Sequence, residues 1–215
     1  MHIPDGFLDV KTCVSTYLAV GGSFGFGLKR MKANFKEEQI PLLGLLGAFI
    51  FAAQMINLPI AAGTSGHLLG GVLAMLVVGP WAASLIITSI LIIQAIFFMD
   101  GGVAVLGANI LNMAVIQVFA GYWIYWGLKK LIKSYKIRIF ISAWAATVIS
   151  AVAAALELAF SGTIGLHLVL PAMVGWHMLI GLIEGLITLL VVVYLKKVIP
   201  EKLDFLKCEG GECCV

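Results

Sequence analysis

The first two residues, Met1 and His2, carry the groups from which a metal chelate can be built. The free α-amine, the His2 amide nitrogen and the imidazole Nδ1 can bind one ion together, closing a five-membered and then a six-membered ring. The amide must lose its proton, and Ni²⁺ and Cu²⁺, which favour square-planar, nitrogen-rich sites, are best suited to this. Three nitrogens leave one corner open, which one further imidazole can fill.

The chain supplies three further imidazoles, those of His67, His167 and His177. A single histidine is more often a hydrogen-bonded structural residue than a ligand. We expect His167 and His177 to be structural. His67 follows Gly66 at the start of a predicted span. All four histidines fall toward one side of the membrane in the topology below, which strengthens the case for His2 and His67 acting together.

The composition defines the elements that must position these groups. Of 215 residues, 61% are hydrophobic and only 12% are charged, about half the ~25% typical of soluble domains. The mean hydropathy is +1.07. A soluble domain of this size could not hide so much apolar surface. A cytosolic enzyme, a nucleic-acid binder and a disordered chain are therefore disfavoured, and an integral membrane protein is indicated.

The apolar runs are continuous rather than alternating, which favours an all-α fold over a membrane barrel. A spanning helix needs ~20 mostly apolar residues. We predict about seven transmembrane helices in one bundle, at 13–29, 40–57, 66–79, 81–99, 103–128, 137–160 and 171–195. The third and fourth spans are separated only by Gly79 and Pro80, a pair that suits a tight turn. We expect one domain over 1–200, with 1–10 forming part of the metal site, and a polar cytoplasmic tail over 201–215.

The basic residues predict the orientation of the bundle. With seven spans, all 14 of them except Lys11 fall on one side, in the stretches 29–36, 129–138 and 196–207. The N-terminus is then outside and the C-terminus cytoplasmic, in a multi-pass protein of a prokaryotic cell membrane. The basic residues mark the cytoplasmic face and do not indicate nucleic acid. The opening residues lack the basic and apolar regions of a secretory signal, so the chain is expected to keep its first residues. Met1 is expected to remain because a bulky second residue, His2, hinders removal of the initiator Met.

Three segments resemble a known family. The opening MHIPDGFL, the segment GTSGHLLGG at 63–71, and the stretch from Gln94 through Asp100 to Asn109 are similar to the NikM/CbiM family. Its members are the substrate-binding (S) components of energy-coupling-factor transporters for nickel and cobalt. The resemblance covers the chain to about residue 197. The order of the three segments, and a first segment whose chemistry works only at a true N-terminus, make it specific.

The resemblance implies that Met1 and His2 provide three nitrogens and His67 the fourth, for Ni²⁺ or Co²⁺ as transported substrate without an organic cofactor. It also implies capture from outside and separate partners: a transmembrane coupling (T) subunit, two cytoplasmic ATPase subunits and a small accessory membrane subunit. No G-x-x-x-x-G-K-[ST] motif is present, so we expect a non-catalytic subunit whose ATPase lies on other chains.

Several polar residues are candidates for supporting the ligands. Ser65, Gln94, Asp100 and Asn109 could orient the imidazoles or the N-terminal segment. They could equally cap a helix, stabilise a turn or hydrogen-bond between helices. Asp5 and Asp9 could hold the segment in place or be solvated and cap the first helix, the cap being favoured for Asp9.

Two other functions stay open at this stage. A secondary metal transporter would need intramembrane acids, and Glu157 and Glu184 are the available ones. An intramembrane serine protease is less favoured: G-x-S-G occurs at 63–66, and His177 would have to act as its base. The tail cysteines Cys208, Cys213 and Cys214 could bind a soft metal, but a dangling tail is the commoner meaning. Planar four-nitrogen coordination favours nickel over cobalt.

Overall fold

The structure is a computed structural model that describes residues 1–34, 40–56, 58–60 and 64–203, with only the backbone described for 28–34, 58–60, 64–65 and 202. The helices are α1 (Val10–Asn34), α2 (Ile40–Gln54), α3 (Gly71–Val78), α4 (Pro80–Phe97), α5 (Leu106–Ile110), α6 (Gln117–Gly127), α7 (Tyr135–Phe160) and α8 (Leu166–Val198). Residues Leu111–Ile116 form a π-helical stretch that joins α5 to α6 without a break, and short 3₁₀ turns cover Leu128–Lys130 and Pro200–Lys202.

The prediction of a polytopic all-helical membrane protein is confirmed. With α5 and α6 counted as one helix, the described part of the chain forms seven helical segments, in the order of the seven predicted spans. Four of them, Pro80–Phe97, Leu106–Lys130, Tyr135–Phe160 and Leu166–Val198, are long and apolar enough to cross a membrane, and α2 is a shorter apolar helix.

The third predicted span, 66–79, differs most from expectation. Its helix α3 has 8 residues, a length of about 12 Å, which is far less than the ~30 Å of a bilayer core. Residues 67–70 before it have no regular structure. Ahead of them, Leu58–Ile60 and Thr64–Gly66 pair as a two-stranded antiparallel hairpin. His67 therefore lies on non-helical backbone rather than inside a helix.

Short α3 is the centre of the bundle, and all of its residues are buried. It packs against α4, α6, α7 and α8, and α7 and α8 form the most extensive helix pair. Gly121 allows α6 to approach α3, because a Cβ at this position would crowd the methyl groups of Val72. The turn between α3 and α4 is as expected: Gly79 has a φ of 83°, which favours glycine, and Pro80 is the first residue of α4.

The N-terminal segment, residues 1–8, folds into the bundle before α1 begins. Met1, His2 and Ile3 are all buried. The carboxylate of Asp9 accepts a hydrogen bond of 3.1 Å from the backbone nitrogen of Thr12, so the expected helix cap is present. Hydrogen bonds from the Thr12 side chain and then from its backbone lower the pKa of Asp9 below its usual value. The cap fixes where the chain turns from the buried segment into α1.

The predicted orientation can be tested by labelling single cysteines in a variant whose native cysteines are replaced by serine. A cysteine replacing the exposed Lys11 should react with a membrane-impermeant maleimide in intact cells. One replacing the exposed Lys133 should react only after the membrane is permeabilised, because basic loops are retained in the cytoplasm. The reverse labelling pattern would contradict the predicted topology.

Candidate metal site

The N-terminal segment is held by a pair of hydrogen bonds that resembles one rung of a β-ladder. The side chain of Asn109 accepts from the Ile3 nitrogen at 2.8 Å and donates to the Ile3 carbonyl at 3.1 Å. The same carbonyl accepts from the Gly102 nitrogen at 3.0 Å. Asn109 is buried in α5, so both backbone groups of Ile3 are satisfied without water.

A second anchor lies two residues further along. The Asp5 carboxylate accepts hydrogen bonds from the backbone nitrogens of Val103 at 3.1 Å and Ala104 at 2.9 Å. Asp5 therefore holds the N-terminal segment in place, which is one of the two roles considered for it. The fit is close at Gly102, where a Cβ would overlap both the side chain and the backbone nitrogen of Asp5.

These anchors leave His2 inside the bundle, with 4% of its surface exposed. Its Nε2 lies 3.1 Å from Oε1 of Gln94 on α4. With the Gln94 amide in this orientation its oxygen accepts, which assigns the hydrogen to Nε2 and the lone pair to Nδ1. Nδ1 has no hydrogen-bond partner among the described residues. It is the nitrogen that a chelate with the His2 amide and the terminal amine requires.

His67 shows the complementary arrangement and is 3% exposed. Its Nδ1 donates to the carbonyl of Leu68 at 2.7 Å. Nε2 then carries the lone pair and is without a hydrogen-bond partner in the described structure. A backbone carbonyl on one ring nitrogen is a common way to orient a metal-binding imidazole. The His2 and His67 rings stack with their centroids 4.5 Å apart and their planes at 24°.

Burial keeps these nitrogens unprotonated. Loss of hydration lowers the pKa of the Met1 amino group to about 4, against the opposing attraction of Asp100. Burial, followed by the charge of the terminus, lowers the pKa of His2 to about 3. For the same two reasons, the pKa of His67 lies well below its usual value. These pKa shifts favour the neutral forms of the amine and of both imidazoles over the protonated forms.

Asp100 provides the negative charge near these groups. Its carboxylate oxygen is 3.4 Å from Nδ1 of His2, and the two atoms are not hydrogen-bonded to each other. Asp100 lies just after α4, beside Gly101 with its φ of 90°. The carboxylate is placed to compensate positive charge brought to the site.

The remaining sequence-based candidates are placed differently. His167 is exposed near the start of α8. His177 is buried in α8, where its Nδ1 donates to the Met173 carbonyl at 2.8 Å and its Nε2 has no partner among the described residues. The Ser65 side chain and the three tail cysteines lie outside what the structure describes. Among the described residues, no group of three or more His, Cys, Asp or Glu side chains is arranged for a metal ion.

Two residues near the site were not singled out for it from the sequence. Gln54, at the end of α2, donates from Nε2 to the carbonyl of Leu69 at 2.6 Å. Glu184 on α8 was noted only as an intramembrane acid, yet it accepts hydrogen bonds from the Leu69 and Gly70 nitrogens. In the sequence, Gln54 and Glu184 stand out only as polar residues within apolar runs. Polarity alone does not show which group a side chain contacts.

The bundle of apolar helices defines the class of protein as a polytopic helical membrane domain. The family described as "Cobalt uptake substrate-specific transmembrane region" matches residues 2–202. The chain therefore belongs to this family, and the resemblance drawn from the three sequence segments is confirmed. Because the family is one of metal uptake, it supports transport over an intramembrane protease.

Individual relatives and a solved structure support this family assignment. The chain is 39% identical to a putative fused nickel transport protein NikMN of Archaeoglobus fulgidus, over 95% of this chain and 68% of that protein. It is 38% identical to a putative metal transport protein of Methanocaldococcus jannaschii, over 94% of each. A crystal structure of a truncated transition metal transporter superposes with a TM-score of 0.88 at 35% identity, covering 92% of this chain and 99% of that one.

The close fit at Gly102 yields a test of how the N-terminal segment docks. In Gly102→Ala, the new methyl group should push Asp5 and its backbone away and weaken nickel binding about tenfold or more, ~1.4 kcal/mol, as measured by titration calorimetry. Gly22→Ala is the matched control, because a Cβ there meets nothing within 4 Å. Equal affinities of the two variants would contradict this account of docking.

Proposed function

We propose that this chain is the substrate-capture subunit of an ATP-driven energy-coupling-factor importer for Ni²⁺ or Co²⁺. It binds the ion through the Met1 amine, the amide and Nδ1 of His2, and Nε2 of His67. The observation that carries the proposal is the stacked pair of His2 and His67. Each ring presents a buried nitrogen without a hydrogen-bond partner in the described residues, beside a terminus that is itself buried.

The donor set matches the chemistry of a borderline transition metal. The amine, the amide and Nδ1 are three nitrogen donors from the same chain end, and the fourth donor comes from the His67 imidazole. Four such nitrogens suit square-planar coordination. Loss of the His2 amide proton places one negative charge on the ligands, so the divalent ion and its ligands together carry a net charge of +1. The Asp100 carboxylate, 3.4 Å from Nδ1, compensates much of what remains, so the buried site does not hold an uncompensated charge.

The relatives and the proposed donor set together support the choice of transported ion. Relatives of this chain are named as nickel transport proteins and as cobalt transport proteins CbiM. Four nitrogens in a plane favour Ni²⁺, whose complexes of this kind are diamagnetic and yellow. We therefore infer Ni²⁺ as the preferred ion and Co²⁺ as the alternative.

Uptake then needs chains other than this one. No phosphate-binding loop is present in the sequence, so the coupling subunit and the two ATPases are separate partners in the proposal, with a small accessory membrane subunit. The bundle captures the ion from outside and releases it to the cytoplasm when it moves relative to the coupling subunit.

The terminal amine gives the sharpest test. Adding one alanine before Met1, or acetylating the terminus, should abolish nickel binding measured by calorimetry while thermal unfolding shows a folded protein. The reason is that the first chelate ring cannot form without a free amine one residue before His2. His2→Ala and His67→Ala should weaken binding strongly as well.

An alanine added after Val215 is the matched control for the extension and should leave the affinity unchanged. A yellow, diamagnetic nickel complex of the unmodified protein would agree with four planar nitrogens. Normal binding by the N-terminally extended protein would rule out the chelate.

Energy coupling can be tested in proteoliposomes. The chain alone should bind nickel at its outer face without accumulating it inside, and accumulation should need the coupling subunit, the ATPases and ATP. Glu184, one of the two acids available to a secondary transporter, is already hydrogen-bonded to backbone. Accumulation driven by an ion gradient in the absence of ATPase chains would instead support an ATP-independent transporter.

A further inference from the structure

The segment that carries His67 crosses the interior without regular structure, and its backbone groups depend on side chains for hydrogen bonds. The nitrogen of Leu69 donates to Oε2 of Glu184 at 2.8 Å, and the nitrogen of Gly70 donates to Oε1 at 2.9 Å. Glu184 is completely buried in α8. One carboxylate thus holds two consecutive N–H groups, only two and three residues after the imidazole.

Two further helices contribute side chains to this segment. We call the three side chains that hold it, Glu184, Gln117 and Gln54, the cradle. Gln117 on α6 donates from Nε2 to Oε1 of Glu184 at 2.9 Å and accepts at its own Oε1 from the Gly71 nitrogen at 3.2 Å. Gln54 on α2 donates to the Leu69 carbonyl at 2.6 Å. Glu184 is the member with the most contacts, because it accepts from two backbone groups and also from Gln117.

The cradle leaves the segment little freedom. Gly70 has a φ of 78°, in the region that favours glycine, and a Cβ on Gly71 would overlap the Gln117 side chain. Hydrogen bonds to a charged group are among the stronger ones in proteins. A buried N–H left without an acceptor is costly, so removing the carboxylate should release the segment from its observed path.

We propose that Glu184 is a positioning residue for the metal site, holding His67 where its Nε2 can complete the coordination of the ion. This inference rests on the function proposed above. Glu184 itself does not touch the ion in this account, since its oxygens are occupied by the two backbone nitrogens and Gln117. It acts only through the segment from His67 to Gly70.

A general role in stability would predict something different from a positioning role. If Glu184 acts through His67, its removal should cost one nitrogen donor and leave the three donors of Met1 and His2 in place. The signature is then specific: Glu184→Ala should resemble His67→Ala in its bound metal spectrum, and combining the two changes should add little further loss.

The experiment compares the purified full-length protein with Glu184→Ala, His67→Ala and the double variant. Nickel affinity is measured by calorimetry, and nitrogen donors are counted from the electron paramagnetic resonance of bound Cu²⁺. We expect four nitrogens in the unmodified protein and three in each variant. Glu184→Ala should lose about 10- to 100-fold in affinity, the usual range for residues that orient ligands.

Glu157→Ala is the matched control, because Glu157 is another intramembrane acid that accepts a hydrogen bond from a side chain. Its partner is Asn112, in the π-helical stretch, and not the segment that carries His67. It should keep four nitrogens. Should Glu184→Ala fail to fold, Glu184→Gln serves instead: its amide keeps one acceptor but turns an NH₂ group toward the other backbone N–H, so an intermediate loss of affinity is expected.

The outcomes separate the two proposals. Four nitrogens and unchanged affinity in folded Glu184→Ala or Glu184→Gln, or fully additive losses in the double variant, would overturn the role of Glu184. If the unmodified protein fails to bind nickel, or if His67→Ala binds like it, the proposed function itself fails, whatever Glu184 does.

Discussion

Non-helical backbone inside a membrane domain must find its hydrogen bonds within the protein, because no lipid can supply them. In the part of the chain that the structure describes, two such stretches lie at the site, the N-terminal segment 1–8 and the segment 67–70. Asn109 pairs with both backbone groups of Ile3, and Glu184 accepts from two consecutive nitrogens after His67. These polar side chains of apolar helices thus support irregular backbone, and that backbone carries the candidate ligands.

Burial has a second consequence, which concerns protons. An amino terminus in water is largely protonated at neutral pH, and a proton competes directly with a metal ion for the lone pair. Burial lowers the pKa of the Met1 amine to about 4 and that of His2 to about 3. The same lack of water would penalise a bare divalent cation, and in the proposed chelate an ionised amide together with Asp100 would offset this penalty. The burial that docks the terminus in the bundle therefore also favours the unprotonated amine and imidazole, to which a cation can bind.

Local patterns predicted much of the fold. Long apolar runs predicted helices because helices satisfy their own backbone in a membrane, and Gly79 with Pro80 predicted the turn between α3 and α4. The span at 66–79 was drawn as one helix, but only Gly71–Val78 is helical. Hydropathy counts apolar side chains, and Leu68 and Leu69 contribute strongly to it. It cannot register that the hydrogen bonds of this stretch are made by Gln54 and Glu184, which are distant in sequence.

The sequence by itself determined most of the helical segments, because continuous apolar runs favour helices in a membrane. It also determined the capacity of a Met1-His2 terminus to form a chelate, because the three nitrogens are joined by a few covalent bonds whatever the fold. The predicted topology made His67 the candidate for the fourth donor, and the family resemblance implied the same residue. Only the tertiary structure decided that the His67 ring stacks on His2 at 4.5 Å, while His167 is exposed and His177 lies on α8. Those positions depend on how helices far apart in the chain pack together, and no local spacing of residue types encodes that distance.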